Sequence, residues 1–258
     1  MPAWLEREGQ QTPLKVGATL VSTDQIRTGT NGRILLSLQD GSKVKLGENG
    51  TLIVEALIPE NDLFTATLNV LKGAFRFTTD LVIKNKRRDV KVLIGTATIG
   101  IRGTDVWGKA DEEKDIVCLL EGKINVNRGT DKPVLMQEPL TFYVAPKGQP
   151  AQAVAAVPLD NIKQWAQQTD IQVGTGATRL GGQWKLYLLS STDQKKVLKA
   201  YDILSSAGYA VEMNNPLYKG KTVFRLRIVN LPNKKESKAL AKYLEDQPGL
   251  GEMWISKN

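Results

Sequence analysis

The chain contains no histidine and only one cysteine in 258 residues. Without histidine it cannot assemble a Ser-His-Asp or Cys-His nucleophilic site, and one cysteine supports neither a thiolate zinc cluster nor an internal disulfide. Most hydrolase chemistry is thereby excluded, and no cofactor or bound metal is expected. Long apolar runs are missing too: nothing approaches the roughly 18 consecutive apolar residues that mark a membrane-spanning helix, so no transmembrane segment is expected. The opening residues Met1 to Glu6 lack the basic and apolar regions of a secretory signal. A phosphate-binding loop is absent as well, because no Gly-Lys-Ser/Thr follows the glycines of Val173 to Gly182 and the next element reads as a strand.

What is present is the composition of a soluble, folded protein, 41% hydrophobic and 24% charged. The length accommodates two domains, each able to bury a core of its own. The net charge of +8 is unevenly distributed, since residues 183–258 hold 13 Lys/Arg against 7 Asp/Glu while residues 1–182 hold 22 against 20. The C-terminal part therefore favours acidic partners such as nucleic acid, anionic lipid or wall polymer.

Residues 1–150 read as an all-β domain of closely spaced short strands. Turn signals recur at Thr28-Gly29, Asn31-Gly32, Asp40-Gly41, Asn49-Gly50, Lys72-Gly73, Arg102-Gly103 and Glu121-Gly122. Arg33 to Leu38 and Ser42 to Leu46 alternate with period two around Asp40-Gly41, a hairpin signal, and Thr51 to Glu55 fits a further strand. A sandwich, a barrel and a β-solenoid all remain compatible with this spacing. Cys118 falls in the apolar run Asp115 to Glu121, where a thiol is an inert, buried hydrophobe. The acidic cluster Asp111 to Asp115 reads as a hairpin tip, and the basic run Lys84 to Arg88 as a solvated turn.

Residues 151–182 form the connection: a short helix opened by Pro158, with Ile162, Trp165 and Ala166 on one face that docks back on the β domain, then a glycine-rich flexible linker. Residues 183–258 change period. A strand at Lys185 to Ser190 is followed by a helix at Gln194 to Ser206 ending at Gly208, and strands at Tyr209 to Met213 and Val223 to Val229 come next. A second helix opens with Asn233 and Glu236 at the spacing of a capping box, and Glu252 to Ser256 supplies the last strand. The βαββαβ order predicts a four-stranded antiparallel sheet with two helices on one face and the other face open. The fold class is thus mixed, all-β followed by α+β.

Alternation places the aliphatic set Leu186, Leu188, Phe224, Leu226, Ile228, Met253 and Ile255 under the helices. The remaining set, Tyr187, Leu189, Arg225, Arg227, Val229 and Trp254, then points to the open face. Aromatic rings stack on a sugar face or a base, and arginine donates to carboxylate, phosphate or acetamido oxygens, so this face suits a polymer. The competing reading is a face covered by the linker, the other domain or a second copy.

Two family resemblances follow from these residues. The segment Trp184 to Lys257 resembles the SPOR domain, through its βαββαβ order, the Ala207-Gly208-Tyr209 turn and Phe224-Arg225-Leu226-Arg227-Ile228. It departs from that family in the first strand, which ends Tyr187-Leu188-Leu189-Ser190-Ser191, and after the third, which reads Val229-Asn230-Leu231. The β-rich half resembles the FecR domain over Val16 to Val126. Five blocks carry this match: Asp24 to Gly29, Leu38 to Val44, Leu71-Lys72-Gly73, Gly100 to Val106 and Leu120 to Val126. Arg102, Gly103 and Thr104 form its most recognisable motif, read as a structural turn, with Asp105 expected to pair with Arg102.

The SPOR resemblance implies binding of peptidoglycan glycan strands stripped of stem peptides, through Tyr187, Leu189, Arg225, Arg227 and Trp254. The FecR resemblance implies a scaffold or a contact with another envelope protein. FecR domains occur in periplasmic regulators that relay a receptor's state to a sigma factor, and also beside wall-binding modules in exported proteins. The expectation is a non-enzymatic periplasmic envelope protein, its signal peptide removed or lying outside this sequence, that binds peptidoglycan. Two alternatives stand beside it. One is a periplasmic signalling regulator acting through the FecR-like domain. The other is single-stranded nucleic-acid binding, disfavoured because Thr222 to Val229 lacks the aromatic-rich RNP1 pattern of RNA-recognition domains.

Overall fold

The computed structural model describes residues 2–59, 63–79, 87–101 and 103–257. They form two compact units, a β unit of Glu6–Gly9 and Leu20–Asp170, and a C-terminal unit that takes in residues 2–5, Gln10–Thr19 and Ile171 onward. The N-terminal residues join the latter because the Ala3 amide donates to the Gly208 carbonyl (3.1 Å) and the Trp4 indole to the Ser206 carbonyl (3.2 Å). Strand alternation carries no signal for such a long-range tie.

The chain opens on a hairpin, β1 (Ala3–Arg7) and β2 (Gln10–Pro13). The β unit continues with β3 (Gln25–Thr28), β4 (Ile34–Ser37), β5 (Lys43–Leu46), β6 (Thr51–Pro59), β7 (Leu63–Thr78), β8 (Arg87–Ile94) and β9 (Ala97–Ile101). It then runs through β10 (Asp105–Ala110), β11 (Lys114–Glu121), β12 (Ile124–Arg128), β13 (Val134–Met136), β14 (Thr141–Pro146) and β15 (Ala155–Ala156). The main sheet path is β13-β12-β9-β8-β7-β10-β11-β14-β15. Its two ends do not meet among the described residues, so of the three architectures left open by the sequence the closed barrel is excluded.

β7 is the spine of this unit. Its first half pairs antiparallel with β6 and parallel with β8, and its second half antiparallel with β5 and β10. The change of partners follows Leu71–Gly73, where the register against β6 shifts and Gly73 takes φ 94°. A Cβ on Gly73 would lie 2.7 Å from the Gly50 Cα, so only glycine fits. The Lys72-Gly73 pair therefore bends a strand rather than ending one, because a bulge absorbs a left-handed residue without breaking the ladder. Alternate residues of β7 (Phe64, Ala66, Leu68, Val70), β8 (Val90, Val92, Ile94) and β9 (Ala97, Ile99, Ile101) are buried. This is the period-two signature of a sheet with one face in a core.

The Asp40-Gly41 turn closes the β4–β5 hairpin as the sequence predicts. Gly41 adopts φ 85°, and the Asp40 carboxylate accepts from the Ser42 amide (3.0 Å) and hydroxyl (2.7 Å). α1 (Leu159–Thr169) starts at Pro158 and packs on the β unit. Its Trp165 lies parallel to Trp107 with ring centroids 4.6 Å apart and meets Phe142 edge-on at 5.8 Å. Ala74, Ile116, Cys118 and Val157 complete the cluster, with Ile162 packed against it. Beyond the helix, Asp170 pairs with Lys45, and the Gln168 carbonyl accepts from Arg33.

The C-terminal unit follows the expected order with one insertion: β16 (Trp184–Ser191), α2 (Gln194–Ser206), β17 (Glu212–Asn214), the short β18 (Leu217–Tyr218) and β19 (Lys221–Thr222), β20 (Phe224–Leu231), α3 (Lys234–Leu244) and β21 (Trp254–Lys257). The sheet order β17-β20-β16-β21, antiparallel throughout, is that of a split βαβ fold. Val197, Ala200 and Leu204 of α2 and Leu240 and Leu244 of α3 pack with Leu186, Leu226 and Ile228 in a single core. Asp193 caps α2, its carboxylate accepting from the Lys195 amide at 2.9 Å, and Gly208 at φ 83° follows its end.

Only half of the capping box forms on α3. The Asn233 side chain accepts from the Glu236 amide at 3.0 Å, but the buried Glu236 carboxylate turns away and accepts from the amides of Gly174, Gly176 (2.8 Å) and Ala177 (3.1 Å). The glycine-rich run expected to be a flexible linker is held there by three charge-assisted hydrogen bonds. Glycine is required at 176, where φ is 81° and a Cβ would stand 2.9 Å from Leu240.

Candidate functional site

The sheet face of the C-terminal unit opposite its helices is set by two bulges. Between β16 and β20 the pairing runs Leu186↔Ile228, Tyr187↔Arg227, then Leu189↔Leu226, leaving Leu188 as an extra residue. Residues beyond it swap faces, because the side-chain period is two. Leu189, expected on the open face, therefore lies in the helix-covered core at 3% exposure, and Ser190 takes its place opposite Arg225. The Leu188 carbonyl, displaced by the bulge, accepts from the Gly251 amide at 3.1 Å. A second register shift, opposite Trp184 to Leu186, leaves Asn230 at φ 63° with its carbonyl accepting from Arg179.

The other four predicted residues come together. Tyr187 and Trp254, cross-strand partners on β16 and β21, stack with parallel rings and centroids 4.5 Å apart. The Arg225 guanidinium carbon lies 5.9 Å from the Tyr187 ring and 5.8 Å from the Trp254 ring, within cation–π range of both. Tyr187, beneath its partner, is 9% exposed, and Trp254 is 36% exposed. Arg227, opposite both Tyr187 and Glu212, pairs with the Glu212 carboxylate at 3.5 Å. The Nε atoms of Arg225 and Arg227 and the Oδ1 of Asn214 are buried without a hydrogen-bond partner among the described residues. Glu212, Asn214 and Ser190 were not singled out from sequence, since their role depends on register across three strands.

This face offers a stacked aromatic pair and guanidinium groups with hydrogen-bonding capacity to spare. Aromatic faces stack on flat rings and guanidinium groups donate to oxygen acceptors, and this is the chemistry the face displays. The Glu212 carboxylate on this sheet is engaged by Arg227.

In the β unit, Arg102 lies outside the described residues. Gly103 adopts φ 66°, and Thr104 is buried and exchanges hydrogen bonds with Thr79, its carbonyl accepting at 3.0 Å. The Glu121-Gly122 turn meets this segment, and a Cβ on Gly122 would stand 2.5 Å from the Gly103 carbonyl oxygen. Two blocks distant in sequence are thus one packed feature. Asp105 is held by Arg76 through a two-pronged pair at 2.9 and 2.7 Å, which the sequence did not reveal. That bond holds the Arg76 guanidinium above its ordinary pKa. Burial, aided by the Asp105 charge, pushes the Cys118 thiol up to about 12. Asp111 sits at the β10–β11 tip, and although burial acts to raise its pKa, hydrogen bonds from the Lys114 and Glu113 amides bring it below the usual carboxylate range.

Beside Gly122 the surface of the β unit holds a shallow depression of about 370 Å³, lined by Gly100, Gly122, Lys123, Ile124, Asn125 and Leu135. Nothing stands within 4 Å of the position a Cβ would take on Gly100, and Leu135 is exposed on the edge strand β13. Among the described residues, no group of three Cys, Asp or Glu side chains is placed to hold a metal ion, and no helix is long and apolar enough to cross a membrane.

Residues 24–125 match the FecR protein family, which places a FecR domain in the β unit. A search of curated proteins returned no match. Among solved structures, two crystal structures of a candidate anti-sigma factor from Parabacteroides distasonis, at 1.65 and 2.50 Å resolution, superpose with TM-scores of 0.46. They are 13% and 12% identical, each alignment covering 91% of this chain and 99% or 98% of the other.

Proposed function

We propose, with a FecR domain at residues 24–125 as the premise, that this protein is a signalling regulator of the bacterial envelope that acts by binding another protein through its β unit. The observation that carries the reading is the convergence of the family's blocks on one surface. Gly100 and Gly122 to Asn125 come from two separate blocks and line the depression beside β13, which ends the sheet path among the described residues. The neighbouring charged groups Asp105 and Arg76 are consumed in an internal ion pair, and the cysteine is buried. A shallow depression lined by Gly100, Gly122 and Leu135 beside Lys123 and Asn125, with an exposed aliphatic residue at a sheet edge, has the chemistry of a protein contact.

Gly100→Leu tests this without disturbing the core, because the space above that residue is open. In the native bacterium, the variant is expected to reproduce the transcriptional change caused by deleting the gene while accumulating to normal levels. A wild-type transcript profile in the variant would count against the depression as the contact.

A second reading is favoured by the Tyr187–Trp254–Arg225 cluster. The C-terminal unit binds peptidoglycan glycan strands and so holds the regulator at the wall, with the stacked rings receiving a sugar face and the arginines its acetamido oxygens. Pelleting with purified peptidoglycan is expected to rise after an amidase removes stem peptides and to fall with Trp254→Ala or Arg225→Ala. Equal recovery with and without amidase treatment removes glycan recognition. Tight binding to single-stranded RNA with a steep salt dependence would instead assign the face to nucleic acid.

A further inference from the structure

Between β17 and β20 the chain leaves the four-stranded sheet and forms the ribbon β18–β19, a separate two-stranded sheet. Lys219 and Gly220 close it at φ 50° and 72°, the two left-handed positions of a tight I′ hairpin turn. Both faces of the ribbon are wet. Leu217, opposite Thr222, is 76% exposed, and Tyr218, opposite Lys221, is 56% exposed. An isolated two-stranded ribbon is marginal in water, and here a large aliphatic and an aromatic side chain project from it without contributing to the core. The flanking residues are cationic. Lys221 is exposed, and the Lys219 ammonium lies 5.4 Å from the Tyr218 ring centroid.

We propose that the Leu217–Lys221 tip is an interfacial anchor for an anionic lipid bilayer. Leu217 and the Tyr218 ring enter the boundary between headgroups and acyl chains, where an apolar body with a polar tip is well accommodated. Lys219 and Lys221 lay their stems along that boundary and reach the lipid phosphates. Charge complementarity selects this occupant, since residues 183–258 carry 13 Lys/Arg against 7 Asp/Glu and the tip itself bears two lysines and no acid. Shape agrees, because a convex tip of two adjacent apolar residues fits a deformable surface without needing a preformed cavity. The anchor rests on the ribbon and on the charge of the C-terminal segment, and is independent of the FecR premise.

The test is co-sedimentation of the purified full-length protein with phosphatidylethanolamine/phosphatidylglycerol vesicles and with pure phosphatidylcholine vesicles. Partitioning is expected to be at least about tenfold stronger on the anionic vesicles, given two lysines at the surface. The doubly substituted Leu217→Ser/Tyr218→Ser protein is expected to lose it while keeping the near-ultraviolet spectrum of the Tyr187–Trp254 stack. Lys219→Glu/Lys221→Glu is expected to abolish the preference for anionic lipid. Three results would overturn the proposal: no binding to the anionic vesicles, binding that the Leu217→Ser/Tyr218→Ser change leaves intact, or self-association in sedimentation velocity that this change abolishes in the absence of lipid.

Discussion

Leu189→Ala separates the strand as it reads in sequence from the strand as it folds. Simple alternation puts Leu189 beside Tyr187 in water, where truncation to alanine would change stability by no more than about 0.5 kcal/mol. The Leu188 bulge instead seats it in the helix-covered core at 3% exposure, next to Gly251, whose Cβ position lies 3.0 Å from the Leu189 Cδ1. Removing three carbons from such a site costs their transfer free energy plus that of the remaining cavity, about 2–5 kcal/mol. For a unit near 100 residues, each kcal/mol lowers the melting temperature by roughly 4–8 °C, so a cost of about 3 kcal/mol corresponds to a drop of roughly 12–24 °C. Differential scanning calorimetry of the full chain, with near-ultraviolet dichroism of the Tyr187–Trp254 stack identifying the transition, measures it. Ser190→Ala on the open face serves as the control and is expected to move the transition by no more than a few degrees. A near-neutral Leu189→Ala with a costly Ser190→Ala would refute the bulge and restore the simple alternation.

Three further outcomes are expected. Trp165→Ala removes a ring stacked on Trp107 and edge-on to Phe142; because Trp165 is only partly buried, the cost is about 2–4 kcal/mol, with a red shift of the remaining tryptophan emission as Trp107 meets water, and an unshifted spectrum would contradict the docking of α1. The Cys118 thiol, pushed up to about 12, is expected to resist a thiol-specific reagent at pH 8 in the folded protein and to react promptly in denaturant; fast labelling of the native form would place it at the surface. Asp24 is buried, and although burial acts to raise its pKa, hydrogen bonds from Arg7 and the Val21 amide hold it below its ordinary value; its contribution is therefore present above the unfolded pKa and lost as pH falls through the folded one, so an acid titration should show the wild type losing an advantage over Asp24→Asn below about pH 4.

Where local chemistry decided the structure, the sequence was legible. Asp40-Gly41, Gly208 and Asn233 act where their side chains or φ preferences indicate, and the βαββαβ order follows from periodicity that tertiary packing reinforces. Illegible features depended on register or on partners far along the chain. Leu188 is an ordinary leucine in a leucine-rich strand, and nothing local marks it as the extra residue that moves Leu189 inward. Glu236 has the spacing of a capping box, yet three amides more than fifty residues upstream offer its carboxylate more than the single one at Asn233. Arg76 and Asp105 lie 29 residues apart and meet only because β7 and β10 are neighbours. The aromatic and arginine residues of the open face were identifiable because they stand out by type. The depression at Gly100 was not, because its defining feature is a missing side chain.

The proposed contact of the β unit with another protein runs through the Gly100 depression. Site-specific photocrosslinking in the native envelope tests it most directly, with the crosslinker placed at Asn125 and Leu135 on the rim and at the exposed Ile58, which does not line it. The expected result is one discrete protein adduct from the two rim positions, none from Ile58, and loss of the adduct when Gly100→Leu fills the depression. Adducts of equal yield from all three positions, or an adduct indifferent to Gly100→Leu, would contradict it.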